Sequence, residues 1–282
     1  MFQILQKRRL NPSMSLMVIE APYIARKAKA GQFIILRVNE HGERIPLTVA
    51  DCDRVKGTVT IIYQIVGKTT MLLDQLNTGD SLQDFTGPLG RPSELQGHRR
   101  VAVIGGGAAC AIAYPQAKAL HEMGTKVDMI TGFRNREIVI LEDEMRAVSD
   151  HLIIMTDDGS NGNKGLVTDA LHRQIKGGAD YDLVIAIGPL VMMRAVSELT
   201  KRYGIKTVVS MNPIMIDGTG MCGGCRVTVG GKTKFACVDG PDFDASEVDF
   251  DEAIRRSRTY SEMEREAARD YQCRLMEGTT NA

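Results

Sequence analysis

Residues 101–107 read Val101-Ala102-Val103-Ile104-Gly105-Gly106-Gly107. An unbroken apolar run fits a strand buried on both faces. The glycines at its end let the backbone turn into the helical pattern of Ala108–Met123. The alternation repeats downstream. Apolar strands are expected at Lys126–Thr131, Leu152–Thr156, Asp182–Ile187 and Lys206–Ser210, separated by helical patterns at Leu141–Ser149, Val167–Ile175 and Val191–Tyr203. Strands alternating with helices predict a doubly wound parallel sheet, an α/β unit.

Upstream the texture differs. Leu16–Glu20, Gln32–Val38 and Thr58–Val66 are β-rich, and Gly31, Gly42, Gly57 and the Thr86–Gly90 stretch punctuate them. Short strands with frequent turn signals predict a small antiparallel β-barrel. One helix, Thr69–Leu76, is expected to interrupt it, and a polar hinge at Glu94–Arg100 closes it. Downstream of the sheet, residues 211–241 hold seven of the 28 glycines and three of the six cysteines. This segment is expected to pack as neither helix nor strand and to take its order from a metal centre. Residues 245–275 read as one charged helix. The chain thus divides into a barrel at 1–96, an α/β domain at 97–210, and a metal segment with a C-terminal helix at 211–282.

Composition narrows the function. In 282 residues, 35 Lys and Arg balance 35 Asp and Glu, and Trp is absent. A chain with neither basic excess nor many aromatics suits no nucleic-acid surface. No run approaches the ~20 apolar residues of a membrane span. The opening MFQILQKRRLNPSMSLMV puts its basic cluster after the apolar start, unlike a signal peptide. A cytoplasmic protein is expected, in which clustered cysteines suggest metal ligation before disulfides. Cys52, Cys110 and Cys273, scattered along the chain, are expected to be buried small residues.

The metal segment reads Asp217-Gly-Thr-Gly-Met-Cys222-Gly-Gly-Cys225, and after eleven intervening residues comes Cys237. The two-residue gap lets both thiolates face one centre, and Gly218, Gly220, Gly223 and Gly224 permit the wrap. Their N–H groups can donate to cluster sulfurs and help set a reduction potential. A fourth ligand is needed. Asp217 is the nearest donor, although an aspartate before glycine is also an ordinary turn residue. Three Cys and one further ligand suit zinc as well as an iron–sulfur cluster.

Three further motifs point to nucleotides. Gly105, Gly106 and Gly107, Arg134 after the second strand and Gly188 after the fourth lie at carboxyl ends of parallel strands, where such folds bind ligands. In the barrel, Arg44-Ile-Pro46-Leu47-Thr48 offers an arginine for a phosphate. Gly67-Lys68-Thr69-Thr70 opens the helix with backbone and hydroxyl donors. Taken singly, Arg44 also reads as a surface arginine and Thr70 as a helix cap.

This order resembles the ferredoxin–NADP+ reductase superfamily. Within it, the chain is similar to the group containing dihydroorotate dehydrogenase electron-transfer subunits and the small subunits of sulfide dehydrogenase and of NADH-dependent reduced ferredoxin:NADP+ oxidoreductase. Arg44–Thr48, Gly67–Thr70, Asp157-Asp158-Gly159-Ser160 with Gly165, and Asp217 through Cys237 carry the likeness. It implies FAD held by Arg44, Pro46, Leu47, Thr48, Gly67, Lys68, Thr69 and Thr70, with Arg44 on the phosphates. It implies NAD(H) at Gly105, Gly106, Gly107, Arg134, Asp157 and Gly188. It implies a [2Fe-2S] cluster on Asp217, Cys222, Cys225 and Cys237, where the dihydroorotate dehydrogenase subunits use four cysteines and the ferredoxin:NADP+ oxidoreductase subunits have aspartate first. The expected function is electron transfer between NAD(H), FAD, the cluster and a larger flavoprotein/iron–sulfur subunit in a heterodimer, which would itself meet ferredoxin and perform electron bifurcation. Arg134 and Arg136 could meet a 2′-phosphate or could equally be solvated surface charge, so the residues leave NAD against NADP open, while the resemblance favours NAD(H). A subunit of a dihydroorotate or sulfide dehydrogenase, a zinc-stabilised adaptor and a nucleotide-sensing regulator are the alternatives.

Overall fold

The computed structural model describes residues 2–280. The N-terminal unit comprises β1 (Phe2–Asn11), β2 (Met14–Glu20), α1 (Pro22–Lys27), β3 (Phe33–Arg37), β4 (Ile45–Thr48), β5 (Asp51–Asp53), β6 (Thr58–Gln64), α2 (Lys68–Gln75), β7 (Ser81–Leu82) and β8 (Asp84–Leu89). Its strands form two antiparallel sheets, ordered β5-β6-β2-β1-β7 and β4-β3-β8. The sheets close over one core, where Ile4, Met17, Ile19 and Ile61 of the first meet Ile34, Leu36 and Phe85 of the second. This is the expected barrel, with differences: Thr86–Leu89, read as part of a turn, belongs to β8 and pairs with β3, and the short strands β4, β5 and β7 were not expected. Strand β1 escapes a hydrophobicity reading because few of its side chains are buried and its Lys-Arg-Arg run is charged, Lys7 and Arg9 pairing with Asp74 of α2. Two helices interrupt the barrel, not one: α1 begins at Pro22, whose fixed φ suits a first helical turn, but six residues are too few to show a periodicity.

The second unit comprises β9 (Arg100–Gly106), α3 (Cys110–Glu122), β10 (Lys126–Phe133), α4 (Glu142–Ala147), β11 (His151–Thr156), α5 (Val167–Lys176), β12 (Leu183–Ile187), α6 (Leu190–Lys201) and β13 (Thr207–Ser210). These strands are parallel and ordered β11-β10-β9-β12-β13. The order reverses between β9 and β12, leaving a crevice at their carboxyl ends. Every residue of β12 is buried, as expected for a strand covered on both faces.

The C-terminal region departs further from expectation. Residues 211–241 contain a hairpin, β14 (Arg226–Val229) with β15 (Lys232–Phe235), turning through Gly230 and Gly231 at φ of 58° and 70°. Two successive positive φ values make the tight turn whose twist matches paired strands. The chain then adds β16 (Asp242–Asp244) antiparallel to β13 at the sheet edge. The expected single helix is two, α7 (Phe250–Ser257) and α8 (Ser261–Thr280). At the break, the Thr259 and Ser261 hydroxyls donate to the carbonyls of Arg256 and Arg258 at 2.8 and 3.0 Å. Among the described residues, no helix is long and apolar enough to cross a membrane.

Candidate functional site

The carboxyl edge of the parallel sheet gathers one set of expected residues. Gly105 and Gly106 end β9, Gly107 follows, Arg134 follows β10, Asp157 follows β11 and Gly188 follows β12. The glycines do different things. A Cβ on Gly106 would lie 2.7 Å from Met192 Sδ, and one on Gly188 would lie 2.6 Å from Met192 Cε and 3.3 Å from Gly106 Cα. These two let α6 seat against the sheet. Gly107 has φ +57° and open space about it, so its backbone is available to a ligand. Arg134 and Asp157 are exposed on neighbouring strand ends, whereas Arg136 pairs with Glu142 at 3.7 Å.

On the barrel, β4 is an edge strand paired only with β3, which is why Pro46 is tolerated there. Residues 67–70 open α2, with Gly67 as its cap. The Thr70 hydroxyl accepts from the N–H groups of Val66 and Gly67 at 3.0 and 3.1 Å. The Thr69 hydroxyl donates to Glu43 at 2.7 Å, tying the helix start to the approach to β4. Both hydroxyls are therefore engaged within the protein. A phosphate would meet the first-turn N–H groups and Lys68, with open space at Gly67. Arg44 donates from Nε to the Ile216 carbonyl at 2.8 Å, a contact no sequence spacing announces.

Asp217, Cys222, Cys225 and Cys237 fall into two pairs. Cys222 Sγ is 3.2 Å from Asp217 Oδ1, and Cys225 Sγ is 3.2 Å from Cys237 Sγ. Among the described residues, no three of His, Cys, Asp and Glu converge as a single metal ion requires. Two donor pairs suit two bridged irons, each needing two protein ligands, better than one tetrahedral zinc. Slight burial acts against it, but the Cys222 thiol and the N–H groups of Thr219 and Cys222 hold the Asp217 carboxyl down to about 2. Burial and the adjacent Cys225 thiol push Cys237 up to about 12. Cys225 and Cys237 are buried while Cys222 is exposed. Of the scattered cysteines only Cys110 is fully buried. Cys52 is half-buried, and Cys273 is exposed on α8, a predominantly charged helix.

The segment rests on the barrel. A Cβ on Gly218 would fall 2.7 Å from Leu89 Cδ1 and 2.8 Å from Ile35 Cδ1, on β8 and β3. From the far side, Arg226 and Arg256 donate to the carbonyls of Gly223 and Gly224 at 3.1 and 3.4 Å. A cavity of about 440 Å³ adjoins Cys222, lined by Leu190, Ile216 and Tyr260 among others. A larger cleft, about 1150 Å³, opens elsewhere, between Asp51–Arg54, residues 92–96 and α3, and holds none of the expected site residues.

Residues 212–249 match the model for the iron–sulfur cluster binding domain of dihydroorotate dehydrogenase B. The chain is 45% identical, over 88% of its length and 87% of the relative's, to the dihydroorotate dehydrogenase B (NAD(+)) electron transfer subunit homolog of Thermotoga maritima. The chain belongs to the dihydroorotate dehydrogenase B electron transfer subunit family. It is an oxidoreductase subunit with an electron-transfer role. An uncharacterized protein in the adh 3′ region of Clostridium beijerinckii is 48% identical over 100% of this chain and 97% of the relative. Among solved structures, one described as the NADH-dependent reduced ferredoxin-NADP oxidoreductase superposes with a TM-score of 0.90 at 41% identity, covering 96% of this chain and 97% of that one. The family, the barrel with its parallel sheet and the cluster-binding segment thus agree with the sequence reading. The contacts of Arg44 and Arg256 to the segment were not legible there, because their partners stand 172 and 32 residues away.

Proposed function

We propose that this chain passes electrons between NAD(H) and a larger flavoprotein/iron–sulfur subunit, in a cytoplasmic complex of the NADH-dependent reduced ferredoxin-NADP oxidoreductase type. The observation that carries this reading is the pair of donor pairs, Asp217 with Cys222 and Cys225 with Cys237, in a segment that packs on the barrel face of β3 and β8. FAD, when bound, takes two electrons as hydride from nicotinamide and releases them singly to a [2Fe-2S] cluster.

The chain's own residues bind and orient. Arg44 and Lys68, with the first-turn N–H groups of α2, would neutralise the FAD pyrophosphate, and Pro46, Leu47 and Thr48 would line the ring. Gly107 would offer its open backbone to the nicotinamide nucleotide at the sheet edge, where Gly105, Gly106 and Gly188 let α3 and α6 pack close to the strands, with Arg134 and Asp157 at its rim. Asp217, Cys222, Cys225 and Cys237 would hold the cluster, and Ile35 and Leu89 beneath Gly218 exclude water between barrel and segment. Hydride transfer needs orientation and no protein acid or base.

Anaerobic affinity purification from the native host, with cofactor and partner analysis, tests the reading. FAD, iron with labile sulfide, NADH-dependent dye reduction and a copurifying ferredoxin-active flavoprotein are expected. Colourless protein containing zinc would refute it. The Thermotoga relative's name favours a second reading, a dihydroorotate dehydrogenase subunit. A copurifying partner that oxidises dihydroorotate would select that one.

A further inference from the structure

We propose that Arg44 and Arg91 are positioning residues that grip the ligand segment at both flanks from the barrel, so that the flavin side of the molecule sets the surroundings of the cluster. The inference rests on the functional reading above. Arg44 donates from Nε to the carbonyl of Ile216 at 2.8 Å, one residue before Asp217. Arg91 donates from Nε to the carbonyl of Val238 at 3.1 Å, one residue after Cys237. The Arg91 backbone N–H adds a bond to the Gly240 carbonyl at 2.7 Å. The side-chain partners stand 172 and 147 residues apart, so neither contact is a by-product of local chain geometry. Between the flanks, Gly218 lies flat against Ile35 and Leu89. Ile35 also shares a hydrophobic cluster with Cys225 and Cys237.

The arginines differ in one respect. Arg44 is only about one-third exposed, and its Nη1 lies 3.9 Å from Asp84 Oδ2. A guanidinium is a rigid planar fork, so anchoring Nε on Ile216 fixes the direction of the remaining donors. Those donors can serve an anionic diphosphate such as that of FAD. Arg91 pairs loosely with Asp239 at 3.8 Å and lies outside the flavin motifs. Arg44 therefore joins both sites through one group, and Arg91 holds the ligand segment alone. Coupling through a shared group is reciprocal: a ligand that settles the Arg44 fork acts on Ile216, and the reverse.

The test uses the anaerobically purified full chain, loaded with cluster and saturated with FAD, as wild type, Arg44→Gln, Arg44→Lys and Arg91→Gln. Three properties are read: the EPR spectrum of the reduced cluster, its midpoint potential, and the rate of bleaching by an iron chelator. Arg91→Gln is expected to keep wild-type FAD content but to bleach severalfold faster, with an altered EPR line shape. Arg44→Gln should show the same cluster changes and weaker FAD binding. Arg44→Lys should recover FAD affinity more than the cluster signature, because an ammonium is a single point charge. Adding FAD to FAD-stripped, cluster-loaded wild type should shift the EPR signal, and Arg44→Gln should abolish that shift. If the Arg44 variants do not fold, Arg91→Gln and the wild-type FAD titration decide. An unaltered EPR spectrum, potential and bleaching rate in Arg91→Gln, with no response of the wild-type cluster to FAD, would overturn the inference alone. Wild type that takes up neither FAD nor iron with sulfide would overturn the underlying reading with it.

Discussion

At Gly218 a φ of +78° and two close apolar side chains act together. Left-handed backbone costs an ordinary residue about 1–2 kcal/mol. A methyl group there must also displace both Leu89 and Ile35. Gly218→Ala should give folded protein with much less iron and labile sulfide per chain, and full occupancy would contradict this account. One residue earlier, Asp217→Cys should keep the cluster but shift its midpoint potential, since a carboxylate oxygen is a harder donor than a thiolate. A redox titration that finds the same potential would count against Asp217 as a ligand. At this scale spacing alone singled out Cys222, Cys225 and Cys237, and the structure sets Cys225 against Cys237 and Cys222 against Asp217. The sequence was silent on Arg91, whose partner Val238 is 147 residues away.

Among the elements, the parallel strands were the most legible, because burial on both faces writes them as continuous apolar runs. Among the elements missed were β1, the six-residue α1, the short barrel strands β4, β5 and β7, β8 with its turn-like Gly-Pro, and the three-residue β16, all too short or too polar to show a period. The hairpin at β14 and β15 did carry a signal, Gly230-Gly231 between alternating residues, which the expectation of a metal-ordered segment obscured. At the amino edge of the sheet, opposite the glycines, Asp128 is only 1% exposed. It accepts hydrogen bonds from Arg100 Nη2 at 2.6 Å and Tyr181 at 2.7 Å, and lies 2.9 Å from His151 Nδ1. Removing one member of a buried charged network costs about 3–5 kcal/mol. Asp128→Ala should lose stability of that order in urea titration, leaving Arg100 and Tyr181 without their acceptor. Burial raises the Asp128 carboxyl, but bonds from His151, Tyr181 and Arg100 outweigh it and hold the group below the usual range. Its contribution is therefore complete above the ordinary carboxylate pKa of ~3.9 and fades as pH falls through the lower folded value. Wild type should accordingly lose stability over that acid range more steeply than Asp128→Ala.

Across the whole molecule, the barrel, the parallel sheet and the ligand segment share their interiors. Phe33 and Ile35 of β3 belong to the cluster that contains Ile104, Ala186, Cys225, Cys237 and Phe250. Met14 and Ile62 of the barrel pack with α3 and α4 residues such as Ala113 and Met145. Units joined through shared apolar clusters of this size should not move or unfold independently. Calorimetry of holo protein and of chelator-stripped, reduced protein should each give one transition, with the stripped midpoint lower. An early, separate barrel transition would contradict this.

The stem of the ligand segment has one more consequence. Ser210 faces Asp242 across the β13–β16 pairing, and the Met211 N–H donates to the Pro241 carbonyl at 2.9 Å, so the excursion begins and ends at the same place. The entropy of bringing those two ends together is met by the sheet, not by iron. A chain stripped by oxidation would thus keep an open socket with its rim intact, and repair could proceed by refilling in place, without passing through denaturation.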